Sequence, residues 1–161
     1  MYTKLYWLYK SDSNARLAIM ARPRGGEWLE GEIVQFKKQN IGVIVSLLEF
    51  SEIVELGLTR QQELCLKHGI AYINFPIPDR DIPRSKDKVE ALIRGLKAKL
   101  DEGISTVIHC RMGIGRSSII AAAVLLQEGG KADDIIQHIS KIRGVSVPDT
   151  NEQVRWLYGI K

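Results

Sequence analysis

The sequence predicts an α/β fold: one domain with a central, mostly parallel sheet and helices on both of its faces. Three observations carry this. Short apolar runs rich in Val and Ile alternate along the chain with longer stretches of helical spacing. The 161 residues suffice to bury one sizeable core without a metal or disulfides. No repeat, low-complexity tract or Pro/Gly/Ser linker interrupts them, so residues 1–161 read as a single domain.

The elements follow in order. Lys4–Lys10 and Arg16–Ala21 read as two strands around a Ser-Asp-Ser-Asn turn. After the loop Arg22–Gly26, Glu27–Lys38 has helical spacing through Leu29, Ile33 and Phe36. Ile41–Leu48 is a near-continuous β-branched run, the pattern of a strand buried on both faces. Thr59-Arg60-Gln61-Gln62 has the spacing of a capping box and opens a helix ending near Gly69. Ile70–Phe75 is a second buried strand, followed by the rigid loop Pro76–Pro83. Ser85 is placed to cap a long helix to about Glu102, with Gly103 as its stop. Ile104–His109 is a third core strand. Helices follow at Arg116–Glu128, at Asp133–Ile142 and from Thr150 to Tyr158.

Bulk charge narrows the partners. A net charge of +4 without Lys/Arg runs is no nucleic-acid tail and favours anionic ligands only mildly. Two cysteines, Cys65 and Cys110, are too few for a disulfide framework, which points to a reducing compartment. No apolar run reaches the length of a membrane span, and Met1–Lys10 is too polar for a signal peptide. The expectation is a cytoplasmic monomer with no membrane or nucleic-acid partner.

Chemistry concentrates in His109-Cys110-Arg111-Met112-Gly113-Ile114-Gly115-Arg116-Ser117, between a buried strand and a helix. There, backbone N–H groups converge on a helix N-terminus, which makes a ready anion site. Gly113 and Gly115 let the backbone approach an oxyanion closely. Arg116 supplies a planar fork for two phosphate oxygens, and a thiol at the base of such a cradle is favoured as its thiolate. Residues Arg111 to Gly115 are thus candidate phosphate ligands, Cys110 a candidate nucleophile and Arg116 its electrostatic partner. A leaving oxygen also needs a proton, and the Pro-rich loop offers Asp79 and Asp81 to supply it.

The pattern His109-Cys-x-x-Gly-x-x-Arg-Ser117 resembles the signature loop of cysteine-dependent protein tyrosine phosphatases. The short chain resembles their dual-specificity branch, near the cyclin-dependent-kinase-associated phosphatases. Phe75–Pro83, the pair Arg143-Gly144 followed by Gln153, and the Ala121-Ala122-Ala123 run extend the likeness over roughly 41–157. The resemblance implies further roles. Asp79 is selected as the general acid. The Ser117 hydroxyl eases departure of sulfur, and also suits a helix cap. His109 holds the loop by hydrogen bonding. Gln153 matches a water-positioning glutamine, while Thr150-x-x-Gln153 equally fits a capping box.

Other residues have plainer readings. Arg111 adds charge at the rim. Arg80 and Arg84 either meet a phosphate or pair with the aspartates, or, as the plainer reading, belong to a solvated face; Glu49, Glu52 and Glu55, on a helix after the first core strand, either border the pocket or form a solvated face. Cys65, Trp28 and Trp156 belong to the core. The expected reaction is metal-free and cofactor-free, with phosphotyrosine or phosphoserine/threonine in proteins as substrate. The rivals are a non-protein phosphate (phosphoinositide, nucleotide or RNA 5′ end), a phosphate-binding pseudoenzyme, and sulfur transfer or arsenate reduction.

Overall fold

The apolar runs become strands β1 (Tyr6–Lys10), β2 (Arg16–Met20), β3 (Ile41–Ser46), β4 (Ala71–Asn74) and β5 (Ser105–His109) of a computed structural model that describes residues 1–160. They form one sheet in the order β1-β2-β5-β3-β4. The β1–β2 hairpin is antiparallel, and every other pairing is parallel. Helices are α1 (Leu29–Lys38), α2 (Phe50–Glu55), α3 (Gln61–Lys67), α4 (Lys86–Asp101), α5 (Arg116–Leu126), α6 (Ala132–Arg143) and α7 (Asn151–Gly159).

Alternation along the strands splits the core into two layers. Leu17, Ile19, Val43, Val45 and Ile108 face α4, α5, α6 and α7. Ala18, Met20, Ile44 and Val107 face the side that carries Leu29, Ile33 and Phe36 of α1 and Leu64 and Cys65 of α3. Helix α5 is buried nearly all round, which explains why its sequence lacks a polar stripe. Because β2, β5, β3 and β4 run parallel, the segments leaving them gather at one end of the sheet. The loop after β5, the Pro-rich loop after β4 and α2 after β3 are therefore neighbours. Open α/β sheets bind ligands at this edge.

Several expectations need correction. Residues 26–28 form a 3-10 turn, and the α-helix begins only at Leu29. Trp28 is consequently 56% exposed, outside the apolar stripe that starts one residue later, and Arg24 stacks 5.2 Å from its ring. Trp156 is half-buried against the core. Thr59 caps nothing. Instead, Gln61 N–H donates to Leu58 O at 3.0 Å and Arg60 takes the N-cap position of α3. Leu58, fully buried, anchors that turn. Ser85 does cap α4, accepting from Lys88 N–H at 3.3 Å.

Candidate active site

The loop from Cys110 to Gly115 joins β5 to α5, and its outer side is tied down. Arg22 N–H donates to Arg111 O at 3.1 Å. Arg143, at the end of α6, donates to Met112 O (2.9 Å) and Gly113 O (3.0 Å) while resting 4.2 Å from the Tyr6 ring. Three successive carbonyls thus have partners outside the loop. Gly113 makes that path possible: its φ is +71°, and a Cβ there would lie 2.6 Å from the Met20 carbonyl carbon. A Cβ on Gly115 would stand 2.5 Å from Asp149 Oδ2.

Cys110 is 2% exposed at the base of this loop, with its sulfur 3.3 Å from the Ser117 hydroxyl. His109 is fully buried beside it. Its Nδ1 lies 3.1 Å from Cys110 O, which can only accept, so Nδ1 carries the proton. Nε2 then accepts from the Gln61 side-chain amide at 3.1 Å. This is the neutral imidazole, and burial pushes its pKa down to about 4, the Cys110 carbonyl opposing and the Arg116 charge assisting. A neutral ring suits an orienting role and could not hold a proton for transfer near neutral pH.

Arg116, 1% exposed, is held from three sides. Nη1 donates to Glu52 Oε1 (2.7 Å) and Ile77 O (2.9 Å), and Nη2 to Glu52 Oε2 (2.9 Å) and Asp79 Oδ1 (3.0 Å). The Glu52 contact is the bidentate fork that best fixes a guanidinium plane. Burial alone would raise the Glu52 pKa, but hydrogen bonds from Arg116, the Glu49 N–H and Arg111 outweigh it and hold the carboxyl below its usual range. The side chain of Arg111 turns to the same helix, donating to Glu52 (3.4 Å) and Glu55 (3.0 Å), so its charge sits beside the loop. Met112 is exposed, and Ile114 is half-buried against the core.

The two aspartates of the Pro-rich loop have different partners. Asp79 reaches Arg116, whereas Asp81 accepts from Ile82 N–H (2.8 Å) and Arg84 (2.9 Å) within its own turn. Arg84 is therefore paired, and Arg80 adopts a positive φ of 61° in the same turn. Gln153, fully buried, completes the capping box with Thr150 and also donates to Asp81 O at 3.1 Å. It stands within 3.1 Å of the position a Cβ on Gly115 would take. One amide thereby braces α7, the Pro-rich loop and the cysteine loop.

Three residues have roles that the sequence did not assign to them. Glu52 is a buried counter-ion, not part of a solvated face, because α2 turns that side toward Arg116. Gln61 serves the His109 ring and Arg143 the loop carbonyls. The signals for Glu52 were its place just after a core strand, at the pocket border, and the need of a buried arginine for a carboxylate.

A family model described as "Polymorphic toxin system, DSP-PTPase phosphatase" matches residues 18–130. The chain belongs to this family of cysteine-dependent DSP-PTPase phosphatases. It is 30% identical over 135 residues to protein tyrosine phosphatase type IVA 3 of Bos taurus, covering 83% of this chain and 72% of that one. With the Mus musculus protein of the same name it shares 37% over 79 residues, which span 48% of this chain and 45% of the relative. A crystal structure of kinase associated phosphatase superposes with a TM-score of 0.88 at 22% identity, covering 98% of this chain and 93% of that one. Tk-PTP in its active form gives 0.75 at 22% identity, over 95% and 96%. The phosphatase fold of these structures is the one seen here.

Proposed function

We propose that this phosphatase hydrolyses phosphomonoesters on proteins, phosphotyrosine or phosphoserine/threonine, through a phosphocysteine on Cys110. The observation that carries this is the sulfur of Cys110 beside Ser117, at the base of a loop whose arginine is locked in plane by Glu52. The Cys110 thiolate attacks phosphorus, and the bond to the leaving oxygen breaks as Asp79 gives that oxygen its proton. Arg116 and the loop N–H groups stabilise the charge on the remaining oxygens. Water then attacks the phosphocysteine, Asp79 takes back a proton, and the sulfur leaves as thiolate beside the Ser117 hydroxyl. His109 orients Cys110 through its carbonyl, and Gln153 positions the Pro-rich loop and the attacking water.

Three considerations favour Asp79 over Asp81, phosphoproteins over other phosphates, and catalysis over mere binding. Asp79 already bonds the arginine that would hold the phosphoryl group. A relative over most of this chain bears the name protein tyrosine phosphatase type IVA 3. Nucleophile and hydroxyl form one hydrogen-bonded pair, arginine and carboxylate another, and the two pairs meet at the neighbouring residues Arg116 and Ser117. Turnover of para-nitrophenyl phosphate and phosphopeptides tests the reading. Cys110→Ser should abolish turnover while retaining phosphopeptide binding, and rapid quenching of wild type should trap one phosphoryl group on Cys110. Wild-type rates in the Cys110→Ser protein would refute it.

A further inference from the structure

Behind the Pro-rich loop lies a groove of about 330 Å³, separate from the cysteine pocket. Pro83, Val89, Trp156 and Ile160 form its apolar walls, and Arg84, Lys86 and Arg155 stand at it as cations. Among the described residues, no carboxylate lines it. Lys86 and Arg155 are exposed and form no ion pair among the described residues, while Arg84 is shared with Asp81 at 2.9 Å. The groove borders the Pro-rich loop that carries Asp79 and Asp81. Gln153, two positions before Arg155 on α7, donates to the carbonyl of the same Asp81.

We infer that this groove docks an acidic segment of the protein substrate, carboxylates on Arg84, Lys86 and Arg155 and an apolar side chain against Trp156 and Val89. The charge pattern argues for such an occupant: three cations around apolar walls complement alternating acidic and aliphatic side chains, and repel basic ones. A bare phosphate would leave the apolar walls wet. The volume suits a few side chains. The inference rests on the proposed phosphoprotein activity only for naming the segment as substrate, since docking itself needs no chemistry.

A fluorescein-labelled, unphosphorylated peptide of alternating Glu and Leu, followed by anisotropy, reads docking without turnover. Lys86→Glu/Arg155→Glu should weaken its binding by about tenfold. Lys10→Glu/Lys38→Glu, which changes net charge equally at exposed sites elsewhere, should leave binding within about twofold. The groove variant should also lose about tenfold in kcat/KM on a phosphopeptide with Glu-Leu flanks, but not on one with Gly-Ser flanks or on para-nitrophenyl phosphate. Equal weakening by both double variants, or by neither, overturns the inference. So does a groove variant that keeps the peptide but loses binding to phosphatidylserine vesicles, which would make the face a lipid contact. If wild type turns over no phosphoester yet the anisotropy result holds, the proposed reaction falls and the groove stands.

Discussion

The Arg116 guanidinium has Nη1 and Nη2 fully engaged within the protein: Glu52 takes a hydrogen from each, Ile77 O another and Asp79 the last. Glu52 and Ile77 lie in the protein interior and fix the plane, whereas the Asp79 side chain is 55% exposed. In the proposed reaction, a phosphoryl group arriving over Cys110 would compete with Asp79 for Nη2 and leave the displaced carboxyl beside the leaving oxygen. Removing that carboxylate should therefore push binding and turnover in opposite directions. Asp79→Ala is expected to bind inorganic phosphate about threefold more tightly, the worth of one partly exposed charge pair. Its kcat should drop on the order of 10²-fold or more on alkyl phosphates and less on aryl phosphates, whose leaving groups need no acid. Phosphate inhibition constants measured beside kcat for a leaving-group series check both halves. Weaker phosphate binding, or an equal kcat loss across the series, would remove Asp79 from this role.

At the scale of elements, the cysteine loop is a backbone path fixed by glycine and by neighbours that leave no room. Gly113→Ala forces a Cβ against the Met20 and Ala21 backbone at a positive φ, so it should destabilise by more than about 1 kcal/mol and lower activity. Gly95, inside α4 with open space at its Cβ position, is the contrasting case. Gly95→Ala should stabilise by about 0.4–1 kcal/mol, chiefly by restricting the unfolded chain. Urea titrations of both variants decide this, and a neutral Gly113→Ala would show that the loop has slack. The same contrast explains what the sequence could show. Strand, loop and helix around Cys110 were legible because their signals are local: a β-branched run, spaced glycines, an apolar helix. The cap at Ser85 and the box at Thr150-Gln153 were legible for the same reason. Glu52 lies 64 positions from Arg116 and Gln61 lies 48 from His109. No local pattern couples such pairs; only the sheet order, with β3 beside β5, brings them together. Thr59 misled because its capping spacing competed with a turn anchored by buried Leu58, and packing won.

For the whole molecule, the ionisable groups buried around the site tie fold stability to pH. His109 has its pKa pushed down to about 4 by burial, against about 6.5 when unfolded. Between these values the unfolded chain takes up a proton that the folded chain refuses, so acidification from about pH 6.5 to 4 draws the equilibrium toward unfolding. Integrated over that window, one such histidine is worth about 3 kcal/mol. Glu32 and Glu52 act lower on the scale. Burial raises both, but for Glu32 hydrogen bonds from Thr3 and Arg24, and for Glu52 those from Arg116, Glu49 N–H and Arg111, more than compensate. Their folded values lie below the unfolded range near 4.3, so their contribution is complete above about pH 4.3 and is lost as pH falls through the folded values. Acid unfolding should thus have an early phase owed to His109 and a later one owed to the carboxylates. His109→Gln keeps a polar side chain but cannot titrate. It should be less stable than wild type at pH 7.5, and should lose about 3 kcal/mol less on transfer to pH 4.5. Urea unfolding at closely spaced pH values separates the two proteins. Parallel stability curves from pH 7 to 4.5 would mean that the buried imidazole is not the group that titrates there.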